Sequence, residues 1–272
     1  MVEEGSSSKT IEKNANKINF KVIILIGALS VAIFFYTQYL QNTDIFDPID
    51  GVFMGLILAC GMTSILVAKK YRGSAMFTRA YLFLGVGFFA WFVGDVIYYY
   101  YGLVLDIYPY PSPGDFFFVV NYGFAIGHLY LNTKYFRKEW SKGLKAIIVI
   151  IPILAVLSFS IFAYATWEEY VDGDEYTQDD LTFDLAYGNI FVVGVSLLFA
   201  FAVVGIIVFR ESALKEVWLL LASGILLWAI ADTIFTYLET TEEFTHDHPV
   251  NTVWFASFML IIYALYKHHK AL

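Results

Sequence analysis

Long apolar stretches separated by short polar segments recur along the whole chain. Each stretch holds about 18 or more residues, the length at which an α-helix crosses the hydrocarbon core of a bilayer. The pattern therefore predicts an all-α polytopic membrane protein with eight transmembrane helices. The predicted spans are residues 20–40, 51–68, 77–101, 115–133, 145–165, 185–209, 215–238 and 250–266.

Composition agrees with this pattern. Of the 272 residues, 59% are hydrophobic and 15% are charged, whereas charged residues make up about 25% of soluble domains. A water-soluble core cannot bury so large an apolar fraction. The lipid bilayer is therefore the expected partner of most of the surface.

Basic residues divide the polar connections into two alternating kinds. All 17 Lys and Arg residues lie near the N-terminus, at or beside every second connection, or at the C-terminal end. Because positive charge is retained on the cytoplasmic side, we expect both termini in the cytoplasm, an acidic outer face and a plasma (cell) membrane location. The connections without Lys or Arg are 41–50, 102–114, 166–184 and 239–249.

An internal repeat is visible in the apolar segments. Residues 85–101 align without a gap with residues 222–238. Since four helices per repeat give both halves the same orientation, a pseudo-two-fold axis along the membrane normal is expected. The predicted organisation is a cytoplasmic tail (1–18), a first four-helix repeat (19–140) and a second (141–272). The matched pairs are Gly87 and Gly224, Trp91 and Trp228, Asp95 and Asp232, and Tyr100 and Tyr237.

Two carboxylates interrupt the apolar spans at equivalent places in this repeat. Asp95 and Asp232 lie well inside their spans, where an ionisable group is costly and therefore a candidate functional residue. Trp91 and Trp228, four residues earlier, fall on the same helical faces. We expect these residues to line an outward-facing acidic cavity for a proton, a cation or a basic ligand. The alternative is that each carboxylate only hydrogen-bonds a neighbouring helix.

The proline-rich segment 109–115 places Asp115 at the start of the fourth span. An acidic residue there satisfies free backbone N–H groups and the helix dipole, so Asp115 is either a cap or part of the ligand site. Asn251 has the corresponding place before the eighth span. Tyr98 is either an interfacial anchor or a further ligand-binding residue.

Histidine side chains provide a candidate metal site and a candidate proton relay. His246 and His248 flank Asp247, and imidazole with carboxylate suits zinc or copper; a solvated loop is the alternative. His128 lies inside the fourth span, where it is either a core residue or a relay member. His268 belongs to the basic C-terminal end.

Several functional classes lack support in the sequence. It contains no GxSxG, HExxH, Walker or dinucleotide-binding motif, and no lysine in the interior of a span that would form a retinal Schiff base. The single cysteine, Cys60, permits neither an internal disulfide nor a CxxC site. Topology explains the basic residues, so nucleic-acid binding is not expected, and no cofactor is indicated.

The pattern Trp91-x-x-x-Asp95, followed by a tyrosine-rich helix end and residues 111–115 (Pro-Ser-Pro-Gly-Asp), resembles a family of polytopic sensor-like membrane regions. In that family the loop commonly reads Pro-Ser-x-Ala-Asp and often precedes bacterial or archaeal diguanylate cyclase or histidine kinase modules. The second half is similar through its Trp228 and Asp232 pair, although Asn251 replaces the usual Asp. The resemblance implies a non-enzymatic sensory or ligand-binding module that signals through a separate membrane or cytoplasmic protein.

Two alternatives remain open. The pairs Gly94-Asp95, Gly127-His128 and Ala231-Asp232 are similar to a pattern in lysoplasmalogenase-like eight-span hydrolases, which implies acid and base groups around an activated water. A compact helical bundle also suits an accessory subunit of a larger membrane complex. Enzymatic activity is thus left open, although we expect none.

Overall fold

The computed structural model describes residues 18–39, 47–107, 109, 111–170, 178–212, 214–241, 244–245 and 248–271. All regular structure in these residues is α-helical, and the predicted spans correspond one to one to the observed helices. These are α1 (Phe20–Tyr39), α2 (Pro48–Lys70), α3 (Ala75–Leu103), α4 (Pro113–Phe136), α5 (Lys142–Tyr170), α6 (Gln178–Phe209), α7 (Lys215–Thr240) and α8 (Val250–Ala271).

Seven of these described helices, all except α4, are long and apolar enough to cross a membrane. The chain is therefore a multi-pass helical membrane protein. Helix α4 is less apolar because it carries polar side chains, but those side chains face the protein interior. Its buried polar residues are Asp115, Asn121, His128, Asn132 and Thr133.

Helix α4 runs antiparallel along most of the length of α3. Its first turn contacts the end of α3, and its last turns contact the beginning of α3, so the two helices cover the same depth. Small residues on α3 permit this close approach, because a Cβ at Gly87 would lie 2.9 Å from the Asn121 side chain. The paired residues along α3 are Phe77 with Tyr135, Ala80 with His128, and Tyr98 with Asp115.

In the described part of the chain, six helices form a closed ring. Helix α2 contacts α3, α3 contacts α4, α4 contacts α6, α6 contacts α7, α7 contacts α8, and α8 returns to α2. Outside this ring, α1 packs on α8 and α5 packs on α6. The order of the ring is unchanged when α2, α3 and α4 are exchanged for α6, α7 and α8.

The connections that carry Lys and Arg meet at one end of the bundle, which we call the basic end. Tyr71 of the α2–α3 connection stacks on Phe77, with ring centroids 4.8 Å apart. The Trp218 ring contacts Phe77, Phe136 at the end of α4 and Phe209 at the end of α6. Aromatic packing therefore joins three basic connections into one layer.

At the opposite end of the bundle, α2 and α4 begin with the same N-terminal capping arrangement. Asp47 precedes α2 and Ser112 precedes α4, and each side chain accepts a hydrogen bond from the backbone of the first turn. Asp50 and Asp115, three residues later, accept in return from the backbone N–H of the cap. Such capping boxes, with proline at the first helical position, set where both helices begin.

Candidate functional site

Aromatic side chains from opposite sides of the ring fill its centre. The rings of Trp91 on α3 and Trp228 on α7 pack with centroids 5.0 Å apart. Phe258 contacts Trp91 with centroids 5.1 Å apart, and Phe88 contacts Trp228 at 5.6 Å. The structure thus brings together the two tryptophans that the sequence predicts as site residues.

The carboxylate of Asp232 accepts hydrogen bonds from three side chains on three helices. Its Oδ2 accepts from the Tyr122 hydroxyl and from the Trp228 indole N–H, both at 2.7 Å. Its Oδ1 accepts from the Trp254 indole N–H at 2.6 Å. Hydrogen bonds to a charged group each contribute about 1.5–3 kcal/mol, which offsets much of the penalty of burying the carboxylate. Asp232 therefore ties α4, α7 and α8 together.

The equivalent carboxylate, Asp95, lies in a much poorer environment. It is 9% exposed, and its Oδ2 has no hydrogen-bond partner among the residues that the structure describes. The Trp91 indole, one turn earlier on α3, is the side-chain donor beside it. The Trp91 and Trp228 rings pack between the two helices that carry Asp95 and Asp232.

The difference between the two carboxylates follows from two substitutions in the repeat. When Pro113 is aligned with Pro249, the counterpart of Tyr122 is Phe258 and the counterpart of Trp254 is Phe118. Phenylalanine has no N–H or O–H to donate. Phe258 contacts Trp91, and Phe118 lies against Gly94, so both counterparts pack on the α3 segment that carries Asp95.

Asp115 belongs to a different cluster at the end opposite the basic end. It is buried and accepts from the Tyr98 hydroxyl, from the Ser112 backbone N–H at 2.6 Å and from the Tyr187 side chain. These bonds account for both carboxylate oxygens. The predicted site residues Asp115 and Tyr98 therefore bond each other across α3 and α4, and Asp115 has the capping role that its position predicts.

A path of polar side chains leads from the region of Asp95 towards the same end. Tyr99, one turn after Asp95 on α3, hydrogen-bonds the side chain of Asp50 and lies within electrostatic range of Asp95. Asp50 is partly exposed in the first turn of α2. Tyr99 is therefore close to both Asp95 and the partly exposed Asp50.

The candidate metal site cannot be assembled from the described residues. His246 and Asp247 lie outside them, and the Nδ1 of His248 accepts from the Val250 backbone N–H at 3.1 Å. Asn251 lies in the first turn of α8. Within the described part of the chain, no group of three or more His, Cys, Asp or Glu residues is placed to hold a metal ion.

Sequence reasoning did not include Tyr122 and Trp254 in the site. Both lie on helical faces that point to α7. Both also fall in the stretches that resemble the sensor-like family, with Tyr122 shortly after residues 111–118 and Trp254 three residues after Asn251. No family model, curated protein or solved structure matches the chain. Its function must therefore be inferred from the geometry of the site.

Proposed function

We propose that the chain crosses the membrane eight times, with both termini in the cytoplasm. Helix α4 has 24 residues, about 36 Å at about 1.5 Å per residue, and it follows α3 through the bundle. If α4 did not cross, the basic connections before α3 and after α4 would lie on opposite sides of the membrane. A crossing by α4 keeps all of them on the cytoplasmic side.

We further propose that the bundle arose from two four-helix repeats. The ring order is unchanged by exchanging the halves, and matching contacts join them at the centre. Trp91 packs against Phe258, and Trp228 packs against Tyr122, the counterpart of Phe258. Helices α1 and α5 do not follow this exchange, because α1 packs on the last helix and α5 on its own successor.

Our main proposal is a non-enzymatic ligand-binding or sensory module whose ligand is a small organic ammonium ion bound at Asp95. The observation that carries it is that the buried Asp95 Oδ2 has no donor among the residues that the structure describes, whereas the equivalent carboxylate of Asp232 has three. A buried carboxylate oxygen without a partner is strongly unfavourable. An ammonium group supplies both the missing N–H donor and the compensating charge.

The aromatic residues around Asp95 favour an organic cation over a bare metal ion. Trp91 and Phe258 form a packed aromatic pair next to the carboxylate, and Trp228 extends it. Aromatic faces attract ammonium groups by cation–π interaction, and tryptophan does so best. A metal ion would instead require several oxygen or nitrogen ligands.

The same geometry makes the hydrolase alternative less favourable. Such an enzyme needs an acid and a base around one water molecule. Both oxygens of Asp232 already accept hydrogen bonds from Tyr122, Trp228 and Trp254. Of the two carboxylates, only Asp95 then has an oxygen that can interact with a ligand or a water molecule. One such carboxylate suits ligand binding better than a reaction that needs an acid and a base.

Binding is best tested through the fluorescence of the central tryptophans. The purified chain in lipid nanodiscs is titrated with methylammonium chloride, with sodium chloride at equal ionic strength as the control. We expect a saturable change in the wild type and none in Asp95→Asn, while Glu239→Gln retains the response. An unsaturable response, or one that persists in Asp95→Asn, would rule out the assignment.

A further inference from the structure

A second group of buried polar side chains lies near the basic end and takes no part in the Asp95 site. It consists of Tyr81 on α3, His128 and Asn132 on α4, and His268 on α8, which we call the inner polar cluster. All four residues are 0% exposed. His268 thus lies at the basic end, as its position in the sequence predicts, but inside the bundle.

The members of the inner polar cluster surround Tyr81. The Tyr81 ring lies 5.0 Å from the His128 ring and 5.5 Å from the His268 ring, measured between centroids. Trp218 closes the cluster from α7, with its centroid 4.5 Å from that of His268. Side chains from four helices therefore meet around one point of the ring interior.

Several polar atoms of this cluster have no hydrogen-bond partner within the described part of the chain. They are the Tyr81 hydroxyl, the Asn132 Oδ1 and both ring nitrogens of His268. The Ala264 carbonyl, one turn before His268, lies near that ring without forming a bond of good geometry. Since buried polar atoms almost always have partners, so many in one cluster indicate that something binds there.

Some polar groups of His128 and Asn132 already have hydrogen-bond partners. The Nδ1 of His128 lies 2.9 Å from the Ala80 carbonyl oxygen, and the Asn132 amide donates to the His128 carbonyl at 2.8 Å. These bonds hold both side chains in place. The remaining hydrogen-bonding capacity of the cluster therefore lies on Tyr81, His268 and the Oδ1 of Asn132.

The unpaired atoms include donors and acceptors in similar numbers. The Tyr81 hydroxyl donates and accepts, a neutral imidazole at His268 does both, and Asn132 Oδ1 only accepts. A bare cation would satisfy the acceptors alone, and an anion the donors alone. A neutral molecule that both donates and accepts satisfies the whole set, and water is the smallest such molecule.

We propose that the inner polar cluster is a hydrated site that binds ordered water between α3, α4 and α8. The site is separated from Asp95 by the apolar aromatic side chains Phe88 and Trp228 at the ring centre. This inference is independent of any ligand at Asp95.

Radiolytic labelling tests the presence of bound water directly. The full chain in nanodiscs is exposed to a synchrotron X-ray pulse in heavy-oxygen water, and oxidised residues are identified by mass spectrometry. Bound water labels the buried side chains that it touches, so we expect Tyr81 to be oxidised several times faster than Phe88, which is equally buried. Equal, slow labelling of both residues would overturn the proposal.

Removal of the Tyr81 hydroxyl provides a second test, because a hydrated and a dry hydroxyl predict different changes in the thermal unfolding midpoint. If Tyr81 bonds water, Tyr81→Phe lowers the thermal unfolding midpoint by about 2–4 °C; if the hydroxyl is dry and unpaired, the midpoint stays the same or rises. Tyr266→Phe, on the exposed face of α8, is the control and should leave it unchanged. A metal ion retained at one equivalent per chain, detected by elemental mass spectrometry and lost in His268→Ala, would also overturn the proposal.

Discussion

The indole N–H of Trp254 donates to Oδ1 of Asp232 at 2.6 Å and thereby joins α8 to α7. Replacing Trp254 by phenylalanine keeps an aromatic ring but removes the donor. We expect a loss of about 1–3 kcal/mol of unfolding free energy, because a buried carboxylate oxygen loses a partner. The measurement is denaturant unfolding in detergent micelles.

Trp140→Phe is the matched control for that experiment. The Trp140 Nε1 is buried without a partner among the described residues, so its removal breaks no hydrogen bond. Its ring packs on Tyr130 and Phe201, contacts that phenylalanine largely retains. Equal losses in the two variants would show that the Trp254 hydrogen bond contributes nothing.

Asp232→Asn should destabilise the protein, whereas Asp95→Asn should not. Asparagine at position 232 has one acceptor oxygen for three donors and brings an NH₂ group against them, so we expect a loss of more than about 2 kcal/mol. Asparagine at position 95 removes a buried charge without a full set of partners, so stability should stay constant or increase. Thermal midpoints without added ligand check both, and a larger loss at position 95 would contradict this difference.

Phe258→Tyr should give the Asp95 side one of the donors that it lacks. Tyr122, the counterpart of Phe258, donates to Asp232 at 2.7 Å, so the introduced hydroxyl is expected to reach Asp95 in the same way. The variant should be more stable than wild type by about 1 kcal/mol and should respond less to methylammonium. Tyr122→Phe is the reciprocal change and should be destabilising without loss of that response.

Glycines at equivalent places in α3 and α7 should resist substitution. A Cβ at Gly87 would lie 3.3 Å from the Asn121 carbonyl oxygen, and one at Gly224 would lie 3.2 Å from the Ile261 backbone nitrogen. Backbone cannot move aside as a flexible side chain can, so either alanine variant should lose about 1–3 kcal/mol. Gly55→Ala, with no atom within 4 Å of the added Cβ, should instead be neutral or gain up to about 1 kcal/mol.

The crossing by α4 is checked by labelling introduced cysteines. Leu105→Cys precedes α4 and Ser141→Cys follows it, and the native Cys60 is buried and should not react. In intact cells, a membrane-impermeant maleimide should label position 105 alone, and position 141 only after the membrane is opened. Labelling of both positions in intact cells would show that α4 does not cross.

The helices were predictable because the bilayer fixes their length and apolar character. The ends of the helices were less predictable. Helix α5 covers Lys142–Tyr170, whereas the predicted span was 145–165, because polar residues continue the helix beyond the apolar stretch. The proximity of Trp228 and Asp232 was predictable too, because residues four apart share a helical face. The partners Tyr122 and Trp254 were not, since no local rule states which faces of separate helices meet.

The unequal surroundings of the two carboxylates illustrate the same limit. Asp95 and Asp232 occupy nearly identical local sequences, each four residues after a tryptophan. Their environments differ because residues on other helices differ: Phe258 stands where the other half has Tyr122, and Phe118 stands where it has Trp254. The inner polar cluster was equally inaccessible, since Tyr81 and His268 come together only when the ring closes.

The burial of polar residues on α4 also constrains how this helix is inserted into the membrane during synthesis. Asn121, His128 and Asn132 face α3 and the ring interior in the folded protein, but in an isolated α4 they would face lipid tails. Each such group is costly in hydrocarbon. Helix α4 should therefore leave the translocation machinery together with α3 as a helical hairpin, and the short connection between them keeps the two helices within reach during synthesis.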